Sequence, residues 1–173
     1  LGVREAKGEY VVLLNKYTEV EENWLRELVA PLARDKVAFV SSRVFTRGID
    51  PKYYEKNGTL SLLGFNIMRV FDDEEDLFNV SGCAMAFRRT DFPKPFDEDY
   101  FSYSEDAYLS LRARFLGLRL KQAPRSIVHH VGSATTDRLS KRMTTFYQER
   151  NRLLNLLLFF DQKLILKLLP MVI

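Results

Sequence analysis

The chain has 173 residues, 46% of them hydrophobic and 28% charged, with a net charge of +3. This composition excludes a disordered chain, and the length favours one domain with a core of its own. A single cysteine, Cys83, excludes an intramolecular disulfide and a cysteine-rich metal site, and is typical of a reducing compartment.

Strands and helices alternate along the predicted elements. The apolar run at 11–14 predicts a strand that is buried on both faces, and a helix follows over 22–34, bent or ended by Pro31. Strands are predicted at 37–45, 78–89, 118–124 and 125–132, a short helix at 60–68, and longer helices at 104–117 and 139–160. This alternation predicts an α/β fold with a largely parallel sheet.

We place a domain boundary near the C-terminus, between residues 152 and 153. We assign 1–152 to the α/β domain and 153–173 to an amphipathic helical tail. Its polar side is formed by Asn151, Arg152, Asn155, Gln162, Lys163 and Lys167. Three interpretations stay open for the apolar side: packing on the core, contact with a membrane surface, and the start of a membrane span.

Two adjacent acids, Glu105 and Asp106, follow Ser104 in the first turn of a predicted helix. Acids in a first turn also complement the helix dipole, for about 0.3–1 kcal/mol each. The aromatic side chains just before them, Tyr100, Phe101 and Tyr103, would give the carboxylates an apolar wall. Desolvation of this kind makes a carboxylate a better general base.

Two histidines end the last predicted strand. Adjacent strand residues point to opposite faces, so one histidine is expected to face the core and the other a site. We interpret His129 as structural. His130, next to Gly132 and Ser133, is the candidate for contact with a phosphate or a metal, although a structural role is the common alternative.

Five segments in this order resemble glycosyltransferase family 2, and within it the rhamnosyltransferase-like branch that builds cell-wall and other surface polysaccharides. They are REAKGEYVVLLNKYTEVEENWLREL, NVSGCAMAFRR, FDEDYFSYSEDAYLSLRARFLGLRL, IVHHVGSAT and FYQERNRLL. The resemblance implies a Rossmann-like nucleotide-diphospho-sugar transferase fold (glycosyltransferase type A) that is truncated at its N-terminus. The family's nucleotide-clasping strands would precede residue 1, so we expect this chain alone to bind donor weakly.

The resemblance also implies an activity: an inverting hexosyl transfer, with rhamnose as one candidate sugar, from a nucleotide-diphosphate sugar to a cell-surface glycan or lipid-linked acceptor. Asp106 falls on the family's general base, and Glu105 would orient the acceptor. Asn15, His130 and Arg150 fall on the donor and diphosphate side. The acceptor side is formed by Gly82, Cys83 and Tyr103, and the implied cofactor is Mg²⁺ or Mn²⁺.

One position departs from the family. Tyr17 stands where the metal motif carries a carboxylate, and tyrosine is a poor ligand for these cations. Glu19 and His130 are the remaining metal candidates. An alternative is therefore a catalytically inactive relative that binds glycan, a lipid-linked acceptor or a partner enzyme.

Nucleic acid is not an expected partner, because the basic residues lack the interleaved aromatic surface of such proteins. We expect a cytoplasmic protein that is peripheral on the inner face of the cell membrane.

Overall fold

The structure is a computed structural model that describes residues 2–34, 36–46, 58–68, 76–130 and 140–172. In chain order its elements are α1 (Gly2–Glu5), β1 (Tyr10–Leu14), β2 (Thr18–Val20), α2 (Trp24–Val29), β3 (Val37–Thr46), β4 (Gly58–Leu60), β5 (Asn66–Met68), β6 (Asp76–Leu77), β7 (Ala84–Arg88), α3 (Glu105–Phe115), β8 (Arg119–His130), α4 (Lys141–Phe159) and α5 (Gln162–Val172). Short 3₁₀ turns occupy Ala30–Ala33 and Glu98–Tyr100.

The main sheet has the strand order β1-β7-β3-β8-β2, with β6 paired to β8. The α/β class is confirmed, but the prediction of a mostly parallel sheet is wrong. Among the described strands only β3 and β8 pair in parallel, and the other pairs are antiparallel. A parallel neighbour requires a crossover connection, whereas β7 enters between β1 and β3 from the other end of the sheet.

Two apolar layers cover the sheet. Alternate residues of β3 point to opposite faces, so Phe39 packs towards α3 while Val40 packs towards α2. On the first face lie Leu109 and Ala113 of α3, and on the second lies Leu28 of α2. These layers fix the start of α3 against the sheet.

Strand β1 contacts both layers, but only its Val11 is fully buried and Leu14 is exposed. Complete burial was therefore a wrong prediction. The strand ends the path of described strands and pairs only with β7, so it lacks a second neighbour to cover it.

The segment predicted as a short helix at 60–68 is a hairpin of β4 and β5. Its turn is closed by Ser61 N–H donating to the Phe65 carbonyl (2.8 Å), with Gly64 at φ 76°. That backbone conformation suits glycine and interrupts a helix. The two strands predicted at 118–132 form one strand, β8, whose register against β3 shifts between Ala123 and Ile127.

Helix α4 buries part of the side that we predicted to be polar. Asn151, Arg152 and Asn155 are buried, whereas Leu157 and Leu158 are 67% and 57% exposed. Of the interpretations left open for the apolar side, packing on the core does not apply to these two leucines. The boundary drawn at 152/153 lies within α4, and Asp161 caps α5 by accepting from the Lys163 N–H (2.9 Å). No helix of the described ranges combines the length and the apolar content needed to cross a membrane.

Candidate active site

One edge of the sheet collects the ends of several strands, and we call it the site edge. It holds the last residues of β1, β3 and β8 and the first residues of β7, which runs the opposite way. Asn15 N–H donates to the Cys83 carbonyl (2.8 Å), which ties the end of β1 to the start of β7. The segment before β7 also contacts the start of α3, where Gly82 N–H donates to Asp106 Oδ2 (3.1 Å).

Asp106 is fixed by backbone donors. Its Oδ1 accepts from the Ala107 N–H (2.8 Å), while its Oδ2 takes the bond from Gly82. A β-carbon added at Gly82 would lie 3.5 Å from Asp106 Cβ, so the chain passes this side chain at van der Waals distance. Ser110 reinforces the contact, because its hydroxyl donates to the Asp106 carbonyl (2.7 Å) and accepts from Val80 N–H (3.1 Å).

Glu105 has a different environment from its neighbour. Its Oε2 is buried and has no hydrogen-bond partner within the described residues. Burial, and next the adjacent Asp106 charge, raise the pKa of Glu105 to about 7. A carboxyl group of this kind gains and loses a proton near neutral pH, as general acid–base chemistry requires.

A strained turn, residues 99–104, delivers the two acids to the site edge. Phe101, Tyr103 and Ser104 adopt φ of 55°, 70° and 59°, a left-handed conformation that non-glycine residues seldom take. Ser104 occupies the predicted N-cap position, but its side chain makes no cap bond. The turn must therefore be held by other groups.

Those groups come from α4. The Asn151 amide donates to the carbonyls of Tyr100, Ser102 and Tyr103 at 2.8, 2.8 and 2.7 Å. Tyr100 in turn donates its hydroxyl to Asn155 Oδ1 (2.6 Å). These bonds explain why α4 buries amides, since the turn presents unsatisfied carbonyls to this face of the helix.

Arg150 also contacts the 99–104 turn. Its guanidinium donates to the Asp99 carbonyl and to Asn151 Oδ1, and it lies 5.3 Å from the centre of the Tyr147 ring. In this structure the residue predicted to meet the diphosphate thus supports the turn that carries the acids.

The polar residues after β1 form a tight turn. Asn15 Oδ1 accepts from the Tyr17 N–H (3.0 Å), and the Thr18 hydroxyl donates to the Asn15 carbonyl (2.5 Å). Such side-chain bonds are typical of turn asparagines. The Asn15 oxygen, predicted to face the donor, is thus used to direct the chain from β1 into β2.

The two histidines lie on opposite sides of β8, as predicted, but the exposed one is His129. Its Nε2 lies 2.9 Å from Glu21 Oε1, and its ring stacks on Phe45. The expectation that the structural histidine faces the core is therefore wrong for His129, since the solvated ion pair with Glu21 keeps it at the surface. His130 is buried at the site edge, opposite Thr18 of β2.

A cavity of about 370 Å³ opens beside the two acids. We call it the hairpin cavity because the β4–β5 hairpin forms one wall, with the start of α3 and one face of α4 as the others. Its lining residues are Leu60, Gly64, Phe65, Asn66, Tyr103, Ser104, Glu105, Asp106, Ala107, Gln148, Glu149 and Arg152. Of the predicted site residues, Glu105, Asp106 and Tyr103 meet here and Gly82 touches Asp106, whereas Cys83 packs in the core.

Comparison with known proteins decides the family. Residues 1–94, more than half of the chain, match the sequence profile of the glycosyl transferase family 2. The chain belongs to this family. The rhamnosyltransferase-like branch stays a prediction.

Two relatives of this family 2 chain are informative. Over 54 residues it is 43% identical to N-acetylgalactosaminyltransferase 7 of Drosophila melanogaster, which covers 31% of the chain and 9% of that protein. Its structure is similar to a crystal structure of GalNAc-T7 with UDP, GalNAc and Mn²⁺, with a TM-score of 0.70 and 17% identity over 93% of the chain and 34% of the other. The predicted glycosyltransferase type A fold is confirmed. The chain spans about a third of the length of that solved structure and about a tenth of the curated relative.

The two metal candidates, Glu19 and His130, are not placed to bind one cation together. In the β2–β8 ladder Glu19 lies opposite His129 and Thr18 lies opposite His130. Successive residues alternate between faces, so Glu19 and His130 point away from each other. Within the described ranges no three side chains of His, Cys, Asp or Glu gather as metal ligands. The side chains described for this family 2 chain therefore do not form the predicted Mg²⁺ or Mn²⁺ site.

Sequence reasoning missed three residues of the site: Asn151, Asn155 and Arg152. They support the turn and the hairpin from α4. A usable signal was present, because the polar side chains at i, i+1 and i+4 in the largely apolar second half of α4 share one face. The segment FYQERNRLL was used for Arg150 alone.

Proposed function

We propose that this chain is the acceptor-side part of a glycosyltransferase that uses a nucleotide-diphosphate sugar. The observation that carries the proposal is the pair Glu105 and Asp106, which line the hairpin cavity while Asp106 is tied to Gly82 at the start of the β7 segment. Membership of family 2 and the type A fold support the reaction class.

The proposed reaction is a single displacement. An acceptor hydroxyl attacks the anomeric carbon of the donor while its proton passes to a carboxylate, and the bond to the diphosphate oxygen breaks with its electron pair. Attack opposite the leaving group inverts the anomeric configuration. Asp106 is the proposed base, held in one position by the Gly82 and Ala107 amides, and Glu105 orients the hydroxyl. A positioned base contributes about 10²–10⁴-fold in rate.

On the donor side we propose His130 and Asn15 near the diphosphate, with Arg150 as a more distant cation. GalNAc-T7 was solved with Mn²⁺, which supports a divalent cation as cofactor of the full-length protein. Because the described residues do not gather ligands for it, no step above depends on a metal.

The identity of the transferred sugar has two supported candidates. The rhamnosyltransferase-like segments favour rhamnose and a surface polysaccharide or lipid-linked acceptor, whereas the GalNAc-T7 relatives favour N-acetylgalactosamine. Tyr17, in place of a metal-motif carboxylate, favours a second candidate function, a glycan-binding domain without catalysis.

The test is the acceptor-dependent release of nucleoside diphosphate by the full-length protein. The donor panel contains UDP-N-acetylgalactosamine and dTDP-rhamnose, each with and without a set of saccharide and lipid-linked acceptors. We expect release with one donor to rise when its acceptor is added. Release that no acceptor increases, for every donor, contradicts the transferase proposal and favours the binding domain.

We also propose that the protein is cytoplasmic and lies on the inner face of the membrane through α4 and α5. Leu157 and Leu158 of α4 and Leu166 of α5 are exposed, and Lys163 and Lys167 lie on either side of Leu166 in the sequence of α5. Apolar side chains beside lysines suit an anionic lipid surface, where each lysine adds about 1 kcal/mol.

Flotation with phosphatidylglycerol vesicles tests this contact. We expect the double variant Leu157→Ser and Leu158→Ser to bind at least tenfold more weakly, because two leucines that no longer enter the lipid lose more than about 1.4 kcal/mol of transfer free energy. Leu62→Ser is the control, since Leu62 is equally exposed but lies on the hairpin. Equal binding of the double variant and the wild type would exclude this surface.

A further inference from the structure

We propose that the hairpin cavity binds an uncharged saccharide unit of the acceptor, with Phe65 as its apolar platform. The inference rests on the proposed transferase function and narrows its acceptor. Of the possible acceptors, the inference favours a hydroxyl of a glycan over a group in which a phosphate lies next to the reacting oxygen.

The size of the cavity suits a small ligand. At about 370 Å³ it lies near the lower end of the roughly 300–1,000 Å³ typical of small-molecule sites. The two acids lie on the wall formed by α3, so a sugar in the cavity presents its hydroxyls to Glu105 and Asp106.

Phe65 is exposed and yet held in place. The residue is 46% exposed, and the Arg152 guanidinium lies over one face of the ring, 4.3 Å from its centre. Phe65 N–H donates to Ser61 Oγ (3.0 Å), and Arg152 Nη1 donates to the Leu63 carbonyl (2.6 Å). An ordered aromatic ring at a cavity wall offers the C–H face of a sugar a contact with little loss of entropy.

The charges of the cavity oppose a phosphate. The lining contains three acids, Glu105, Asp106 and Glu149, and one cation, Arg152. That cation is already engaged, because its Nη2 and Nε donate to Glu149 Oε2 at 2.6 and 3.0 Å. The Asp106 carboxylate, and Glu105 in its ionised form, repel an anion in a partly desolvated site.

Neutral hydroxyls find suitable partners in the same space. The side chains of Asn66 and Gln148 are exposed at the lining and supply both donors and acceptors. Glu105 and Asp106 line the same space and add carboxyl groups to its polar side. A sugar ring thus meets an apolar platform on one side and polar groups on the other, which is the usual composition of a specific pocket.

The experiment is a titration of the ¹⁵N-labelled chain with methyl glycosides of the common hexoses and 6-deoxyhexoses, followed by amide shifts. The corresponding sugar phosphates are titrated in parallel. We expect at least one neutral glycoside to shift the amides of Phe65, Asn66 and Tyr103 with saturation, and its phosphate to bind about tenfold more weakly.

Phe65→Ala should weaken the glycoside about tenfold, while the matched control Phe115→Ala leaves binding unchanged, because Phe115 is exposed at the far end of α3. Amide spectra that are unchanged outside the hairpin verify that each variant is folded. Asn66→Ala alters the same wall of the cavity at a second position and should also weaken binding of the glycoside. Equal binding by Phe65→Ala, tighter binding of the phosphate, or no saturable shift with any glycoside would overturn the inference.

The experiments distinguish a wrong inference about the saccharide site from a wrong proposal of transferase function. If the full-length protein releases nucleoside diphosphate with a saccharide acceptor while no glycoside shifts the hairpin amides, only this inference is wrong. If glycosides bind at Phe65 and no donor is turned over, the cavity is confirmed as a saccharide site and the transferase proposal is wrong.

Discussion

Replacing Asp106 with asparagine is expected to lower acceptor-dependent transfer by about 10²–10⁴-fold, the usual contribution of a general base. Asparagine has nearly the same shape, but its one oxygen can accept from only one of the Gly82 and Ala107 amides, and the other N–H then faces the new NH₂ group. We expect the lost bond to cost about 1–3 kcal/mol of stability. Asparagine does not take up a proton, so the loss of activity should appear in kcat under conditions where the variant is still folded.

The measurement is nucleoside diphosphate release by the full-length protein at saturating donor. Asp91→Asn is the matched control, since Asp91 is an exposed residue in the turn after β7 and should keep full activity. Equal rates for Asp106→Asn and the wild type would remove Asp106 from the proposed chemistry, whatever the rate of Glu105→Gln.

Replacing Glu105 with glutamine is expected to change how stability depends on pH. Burial raises the pKa of Glu105 from 4.5 to about 7, so between these values the folded chain holds a proton that the unfolded chain releases. Glu105 thus stabilises the fold fully below about pH 4.5, and this contribution is lost as the pH rises through 7. The shift corresponds to about 3 kcal/mol, which the glutamine variant should not lose.

Urea unfolding of the two chains at pH values below 4.5 and above 7 measures this difference. We expect Glu105→Gln to gain stability relative to the wild type as the pH rises, by an amount near that value. Glu98→Gln is the control, because the Glu98 side chain is 91% exposed and should show no such trend. Parallel pH profiles for wild type and Glu105→Gln would contradict the desolvated position of this carboxyl.

Local patterns predicted the parts of the fold that depend on nearby residues. Helix α3 begins at Glu105, directly after Ser104, and ends before Gly117, whose φ is 74°. Helix α2 ends at Val29, two residues before Pro31, which lies in the 3₁₀ turn Ala30–Ala33. The order of the strands could not be predicted in this way, because β7 pairs with residues of β3 that lie 44–48 positions away and with residues of β1 that lie 70–78 positions away.

In the candidate site, too, the sequence predicted the residues that are neighbours in the chain but not those that meet only after folding. The adjacent acids and the aromatic approach identified Glu105, Asp106 and Tyr103, which do line one cavity. The walls formed by the hairpin and α4 could not be predicted, since Arg152 and Phe65 meet only in the folded chain.

The burial of the polar face of α4 could not be predicted from the sequence. Periodicity separates a polar from an apolar side, but it does not say which side is buried. Here the buried partner is not another apolar layer. It is a turn with free carbonyls, which Asn151 satisfies by hydrogen bonding. Because this polar face of α4 is buried against the turn, leucines on other faces of the helix are exposed.

The proposed site depends on the desolvation of the Glu105 carboxyl group beside the hairpin cavity. A ¹³C-detected NMR titration of the glutamate side chains measures the pKa of this group directly. The Glu105 signal is assigned by its absence from the spectrum of Glu105→Gln. We expect it to titrate near pH 7, and a saturating neutral glycoside to shift it further. Titration near the ordinary value of 4.5 would show that solvent reaches Glu105 freely, and would contradict the proposed site.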